Sequence, residues 1–373
     1  MKVLLGFSGG VDSAVSAYLL LKQGHDVTGA FMRNWDSLAN SDYLGNPNVN
    51  SPQCPQEADY QDALKAAEKL GIKLLRVDFV KEYWDSVFSY FLSEYKKGRT
   101  PNPDVFCNKY IKFDSFLKFA FASGFGKIAM GHYAGKSVRN GHVHIKKALD
   151  GKKDQSYFLA QLSEPQIDSC LFPLAETEKS EVRRLAHELG LSSVMDKKDS
   201  TGVCFIGERN FREFLHNYFP ATPGKIVDGA SGKVVGEHMG VLYYTIGQHK
   251  GLGVGGVKGD EEGAFFVYRK DVANNILYVA HPSQKHLLIS DSCLLGEVNW
   301  IGEREEGDYG VKFRYRQPDQ RAHLAFEGER IRLTYEQGVS SVTPGQIAAI
   351  YDGDVLMGSG IIEEVYRGKE RID

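Results

Sequence analysis

Three stretches of this 373-residue chain hold residue types that could do chemistry. The first is Gly6-Phe7-Ser8-Gly9-Gly10-Val11-Asp12-Ser13, directly after the apolar run Val3-Leu4-Leu5. Two consecutive glycines tolerate positive φ and let backbone N–H groups approach an anion, and Ser8 and Ser13 add hydroxyl donors. That chemistry is a grip on phosphate. Asp12 either caps the following helix or stands near a Mg²⁺ that accompanies a nucleotide. The second stretch is residues 98–109, with Asp104 and Cys107. Two prolines fix an extended lead-in to a helix expected over 107–122, so Cys107 would fall in or beside its first turn, where the helix dipole favours thiolate. Asp104 would cap that turn or carry a proton, and a capped helix with a buried Cys is the competing reading. The third is residues 199–209, where Cys204 sits between glycines in an expected loop and its thiol could move.

These residues need a scaffold. Val11, Val15, Tyr18 and Leu19 recur at helical spacing as far as Gly24, so a helix N-terminus faces the glycine pair. Apolar runs at 27–32, 74–79 and 127–131 alternate with helical patterns at 60–70, 81–97 and 107–122. That alternation predicts a parallel doubly wound sheet, an α/β fold with its ligand at the carboxyl ends of the strands. A polar, Asn-rich loop runs from Trp35 to about Pro55. Gly141 centres a hairpin. Residues 150–157 form a polar turn, suited to phosphate and base contacts or merely solvated. A lone His such as His132 after a strand is ambiguous. Another helix is expected over 178–189. Past Phe219 short β-rich runs and turn dipeptides take over, with boundaries near 210 and 285. There, Arg314, Tyr315 and Arg316 read as a strand with both guanidinium groups on one face, either gripping RNA or protecting an edge.

Composition sets limits. The formal net charge of -3 excludes a generally basic nucleic-acid coat, so RNA contacts would come from local patches. Five cysteines without a CxxC pair argue against a disulfide framework and a standard zinc site, and favour a reducing cytosol. No apolar run approaches membrane-spanning length, and the first residues run straight into the first strand, leaving no room for a targeting peptide.

The glycine loop lacks the Lys-Ser/Thr ending of a Walker A loop and the spacing of a dinucleotide fingerprint. SGGVDS at 8–13 instead resembles the PP-loop of ATP pyrophosphatases, which split ATP between the α and β phosphates to adenylate a substrate. With GRTPNPDVFCNK at 98–109, GHY at 131–133, KDQSYFL at 153–159, DSTGVCFIGER at 199–209, YTIGQHKGLGVGG at 244–256, FRYRQ at 313–317 and TPGQ at 343–346, the chain resembles the tRNA-specific 2-thiouridylases nearly throughout.

The resemblance implies an adenine nucleotide α-hydrolase-like catalytic domain over 1–209, a small central β-rich domain over 210–284, and a C-terminal β-barrel with tRNA contacts over 285–373. It implies adenylation of the C2 oxygen of a wobble uridine, then displacement of AMP by sulfur. Cys204 would carry sulfur as a persulfide, Cys107 would be its partner in a transient disulfide, and Asp104 the acid/base in a base pocket with Asn102 and Pro103. ATP, with Mg²⁺, would be held by residues 6–13 and the backbone at Met32 and Gly131, without a resident metal site. His132, Lys153, Asp154, Gln155, Arg314, Tyr315 and Gln346 would meet tRNA. A cytoplasmic sulfur donor protein, a cysteine desulfurase or sulfur carrier, would load Cys204. Tyr110 stands where an acidic residue is common in the family and His249 where Arg is common. Two rival readings stay open from sequence: a different PP-loop adenylating enzyme, and a redox-sensing RNA-binding protein that switches through Cys107 and Cys204.

Overall fold

The computed structural model describes residues 1–47, 55–197, 206, 209–254 and 265–373. Seven strands open the chain: β1 (Lys2–Gly6), β2 (Asp26–Arg33), β3 (Lys73–Asp78), β4 (Lys127–Ala129), β5 (Ala134–Arg139), β6 (His142–Lys147) and β7 (Cys170–Leu171). Five of them form a parallel sheet in the order β3-β2-β1-β4-β7, as the strand and helix alternation predicts. Val3 and Leu5 face one apolar cluster while Leu4 faces another, so β1 is buried on both sides. The order reverses between β1 and β4, which makes their carboxyl ends the switch point where such sheets take ligands.

The helices are α1 (Val11–Lys22), α2 (Pro55–Leu70), α3 (Val80–Tyr83), α4 (Ser89–Lys96), α5 (Pro103–Cys107), α6 (Phe116–Ala122), α7 (Glu164–Asp168), α8 (Lys179–Glu188) and α9 (Phe211–His216). The helix expected over 81–97 exists but widens into a π-turn at Trp84–Phe88. The helix expected from Cys107 starts earlier, at Pro103, and widens at Asn108–Ser115. Pro103 suits the first helical position, where its missing N–H costs nothing, and the Asn102 side chain accepts from Val105 N. Asn102 is therefore the cap, and Cys107 lies beyond the first turn. The early start weakens the dipole argument for this thiol.

Beyond α9, β8 (Gly224–Asp228), β9 (Val234–His238), β10 (Phe266–Asp271) and β11 (Ile276–Ala280) form a four-stranded sheet, order β10-β11-β8-β9. The barrel strands are β12 (Ile289–Trp300), β13 (Gly307–Lys312), β14 (Gln320–Glu327), β15 (Arg330–Ser340), β16 (Ile347–Asp352) and β17 (Val355–Arg367), and the short β18 (Glu370–Arg371) pairs with β17. They pair in the order β12-β15-β14-β13-β16-β17, and β17 pairs back to β12, which closes a six-stranded barrel. Leu295, Leu324, Leu333, Ile350 and Ile362 fill it. Ile347, Ala349 and Tyr351 point outward and share a cluster with Cys107, Met130 and Tyr157. The β5–β6 hairpin of the first domain joins β17 through Lys146 and Val355. Residues 313–317 form a turn after β13 instead of the expected strand, with Gln317 Oε1 accepting from Phe313 N.

One lysine in the central sheet gives a stability prediction. Lys270 donates to Tyr244 O at 3.0 Å, and burial pushes its pKa from 10.5 down to about 8. The folded chain thus loses this proton before the unfolded chain does, so the residue adds stability as pH rises from about 8 to about 10.5. Lys270→Met should raise the melting temperature at pH 7, removing a penalty of up to about 3 kcal/mol, and the gain should shrink towards pH 10. Melting curves of both proteins across that range check it, and a gain independent of pH would refute it.

Candidate active site

The loop after β1 is built by contact as much as by its glycines. Gly9 has φ of +74°, and a Cβ there would lie 2.4 Å from Asp59 O on α2. No other residue type fits without moving the loop off the helix. A Cβ on Gly6 would lie 2.7 Å from Met130 Sδ and 3.2 Å from Met32 Cε, so Gly6 sits between the two methionines at the ends of β4 and β2. Gly131 packs on the start of α1, where a Cβ would lie 3.3 Å from Ser13 N. Its small size serves that packing.

Ser8 is exposed at the mouth, its Oγ 3.4 Å from Ser13 Oγ, and Ser13 Oγ donates to Gly10 O at 2.9 Å. The first turn of α1 leaves N–H groups without intrahelical acceptors, aimed at the loop. Lys197 ties the loop's far side to α2, donating to Gly9 O at 3.2 Å and pairing with Asp59 and Asp62 at 2.8 Å. The two carboxylates hold the Lys197 pKa above its ordinary value despite burial.

Asp12 departs from its expected role beside a metal. Its carboxylate accepts from Lys179 Nζ at 2.7 and 2.9 Å and from Tyr133 OH at 2.8 Å. These donors occupy both oxygens, so Asp12 fits an ion-paired anchor and does not fit a preformed Mg²⁺ ligand. Lys179 was not singled out from sequence, although a signal exists. It is the first residue of α8, where the helix dipole disfavours a cation, so an anion has to compensate it there.

Cys107 ends α5 and is fully buried, while Asp104 in the first turn is partly exposed. Cys204 lies outside the described residues, and with it the expected pairing to Cys107. Next to Cys107, Asn108 gives its amide to Phe158 O at 3.0 Å but leaves Oδ1 buried and without a partner among the described residues. Asn34, after β2, leaves both side-chain polar atoms so, and His132, after β4, leaves Nδ1. Burial, with Lys112 nearby, keeps His132 well below its ordinary pKa and neutral. Buried polar atoms without partners cost about 1–3 kcal/mol each, and these three residues carry that cost just after β2, α5 and β4.

The expected RNA contacts are brought together only in part. Tyr315 packs on Phe158 at 4.4 Å, which joins the 153–159 and 313–317 motifs. Asp154 is buried and accepts from Ala148 N, Ser156 N and Ser156 Oγ, so it shapes the turn from inside. Gln155 Oε1 accepts from Tyr133 N at 3.0 Å, and Lys153 is partly exposed. Arg314 donates to Ile246 O, Ser341 O and Thr343 Oγ1, an inward tie. Gln346 donates to Thr100 O at 2.6 Å. Tyr110 stacks on Phe106 at 6.1 Å with Lys109 over its ring, a packing role for that departure.

Sequence reasoning also missed Asp42. It is fully buried and accepts from Arg209, Trp35 Nε1 and Ser37 Oγ, which fastens the loop after β2 to the end of the Cys204 motif.

Three family models match in series: the tRNA methyl transferase HUP domain at residues 1–208, the tRNA methyl transferase PRC-barrel domain at 212–281, and the aminomethyltransferase beta-barrel domain at 290–362. Among curated relatives, the tRNA-specific 2-thiouridylase MnmA of Mesoplasma florum is 50% identical, over 98% of this chain and 99% of its own. The protein of the same name from Acholeplasma laidlawii is 51% identical, over 99% and 98%. A solved 4-thiouridine synthetase in complex with RNA and ATP aligns with 56% of this chain and 46% of its own at 16% identity, with a TM-score of 0.31, too distant to carry an argument.

Proposed function

The chain belongs to the family of tRNA-specific 2-thiouridylases, and from that premise we propose that the crevice between β1 and β4 binds ATP and adenylates the C2 oxygen of a wobble uridine in tRNA. The observation that carries the reading is the loop of residues 6–13 at the switch point, held by Gly6 and Gly9 so that α1 presents its N-terminus to an anion. Phosphates would meet the α1 amides and the Ser8 hydroxyl, with the adenine near the backbone at Met32 and Gly131. Mg²⁺ would neutralise charge on the bound nucleotide and would arrive with it, since Asp12 is already paired.

A ring carbonyl oxygen is a poor leaving group, and adenylation converts it into AMP. In the proposed sequence Asp104 manages the proton of the uracil ring. The terminal sulfur of a Cys204 persulfide attacks C2, and AMP leaves. The Cys107 thiolate then attacks the Cys204 sulfur, the carbon-bound sulfur departs as 2-thiouridine, and a Cys107–Cys204 disulfide remains for an external thiol to reduce. Full burial keeps Cys107 from adventitious oxidants, and the exchange takes place away from water. The three-domain division, a protein-borne sulfur donor, tRNA contacts at Lys153 and Tyr315, and action in the cytoplasm belong to the same proposal. The three matched models support the division. Among the described residues no helix is long and apolar enough to cross a membrane.

The test uses α-labelled ATP, unmodified tRNA and a persulfide source, with AMP and 2-thiouridine measured together. AMP and 2-thiouridine should appear in equal amounts. Cys204→Ser should abolish 2-thiouridine, and Cys107→Ser should lower it at least about a thousand-fold. Without reductant, one turnover should leave the parent protein with a Cys107–Cys204 disulfide visible in a peptide map. Absence of 2-thiouridine with competent tRNA and donor would sink the reading.

A further inference from the structure

The segment that leads into Asp104 and Cys107 has almost no secondary structure of its own between α4 and α5, yet every domain touches it. Gly98 has φ of +77°, and a Cβ there would come within 2.4 Å of Val272 Cγ2, in the turn between β10 and β11. Arg99 is tied back to Glu94 by a backbone bond of 3.0 Å and an ion pair of 3.4 Å. Thr100 Oγ1 lies 3.5 Å from Thr245 Oγ1, in the central domain's YTIGQ stretch. Asn102 caps α5 and also bonds the buried Tyr157 hydroxyl, which donates to Ile347 O at 3.0 Å.

The tightest grip comes from the barrel. Thr100 N donates to Pro344 O at 3.0 Å, and Gln346 Nε2 donates to Thr100 O at 2.6 Å, so both polar groups of one peptide residue are held by the turn before β16. Gly345 lies between these contacts with φ of +90°, and a Cβ there would be 3.0 Å from Arg99 Cβ, Thr100 N and Thr100 C. The turn is rigid from behind: Gly345 N donates to Ile362 O, Ile362 N donates to Gln346 O, and Arg314 holds Thr343 and Ser341.

We infer that the 343–346 turn of the barrel is a brace that sets the position of Asp104 and Cys107, with Gln346 and Gly345 as positioning residues for the chemical step. The inference rests on the proposed function for its kinetic consequence and on geometry alone for the brace. It differs from the role that the resemblance implies for Gln346, a direct tRNA contact. The Gln346 amide nitrogen directs an N–H inward to Thr100 O at 2.6 Å, which ties this side chain to the protein itself.

The two roles separate experimentally. Gln346→Met keeps the length and removes the donor, and Gln346→Glu sets a carboxylate against the Thr100 carbonyl. Gly345→Ala wedges a methyl group into the contact. As a brace, Gln346→Met should lower kcat for 2-thiouridine formation about 10-fold and Gln346→Glu about 100-fold, as sub-ångström misplacement of reacting groups does. The Kd for tRNA should stay within about two-fold of the parent, since the hydrogen bond removed is internal to the protein. Amides 98–107 should exchange with deuterium faster in Gln346→Glu and Gly345→Ala, with substrate absent. Weaker tRNA binding with full kcat at saturation and unchanged exchange would overturn the inference in favour of an RNA contact. Faster exchange without loss of kcat would overturn it also. If the parent makes no 2-thiouridine, the proposed function has failed, and the exchange measurement alone decides the brace.

Discussion

Arg209→Met should destabilise the protein by about 3–5 kcal/mol, the cost of leaving a buried carboxylate without its cation. Asp42 has no exposed side-chain surface, and Arg209 reaches it at 2.8 Å while only 9% exposed itself. With the guanidinium gone, Asp42 keeps the Trp35 and Ser37 donors but has no cation paired with it among the described residues, beside a Trp35 ring that packs on Phe88 and Phe214. The damage should spread along contacts that share this anchor. Asn210 N donates to Gly45 O, the Asn217 amide bridges Tyr43 and Leu44, and Tyr218 OH donates to Asn40 O. The loop after β2 and α9 should therefore loosen together, seen as faster amide exchange over 36–47 and 210–218. The double change Asp42→Asn with Arg209→Met should recover at least half of the loss, because two neutral groups replace the orphaned charge. Arg209 follows Cys204 by five positions, so 2-thiouridine formation should fall further than ATP affinity. A melting temperature within about 1 °C of the parent's would show that the pair contributes nothing.

The second large effect is expected at Lys179. Changing it to Met leaves the Asp12 carboxylate uncompensated in the first turn of α1, where the phosphates of ATP would arrive. Lys179 is 10% exposed and Asp12 33%, so the stability cost should lie near or below the lower end for buried pairs, about 2–3 kcal/mol. The effect on nucleotide affinity should be larger in proportion. One unit of negative charge restored beside a polyanion, at the partly shielded dielectric of such a site, weakens ATP binding about 10- to 100-fold. Calorimetric titration reads this directly, without tRNA or sulfur. Asp12→Asn with Lys179→Met removes both charges and should bring affinity back to within a few-fold of the parent, with Tyr133 still able to bond the amide. Parent-like ATP affinity in Lys179→Met would refute charge compensation.

What could be read in the sequence follows the range of the interactions involved. The β1 loop and α1 are local: glycine pair, hydroxyls and helical period lie within a few turns of each other, and the loop forms where they place it. The parallel sheet was legible from alternation because βα units bury continuous apolar strands. Local signals misled at 103–107, where Asn102 and Pro103 outweigh the apolar period in setting the helix start, and at 313–317, where Arg-Tyr-Arg alternation mimics a strand but forms a turn. The C-terminal barrel was expected only through the family resemblance; local pattern does not show that β12 and β17 close it, since neither strand carries a mark of its partner. Asp42 was missed for the same reason, since nothing near it in sequence marks Arg209 as its partner. Lys179 left only the weak signal of a cation at a helix start, and the fold alone names Asp12 as the anion that compensates it.

The bond between Gln346 and Thr100 spans 246 residues of sequence. A ribosome adding about 5–20 residues per second needs roughly 10–50 s to make that interval. Residues up to α8, which complete the parallel sheet and supply Lys179, are made before half of that interval has passed, while the segment bearing Asp104 and Cys107 still waits for its brace. On the proposed function, the order of synthesis would set the order of maturation: ATP could be held early, but the thiol chemistry would be assembled only by a chain that is nearly complete. A product truncated near residue 330 should bind ATP and release no AMP with tRNA, so incomplete translation products would not spend nucleotide or sulfur.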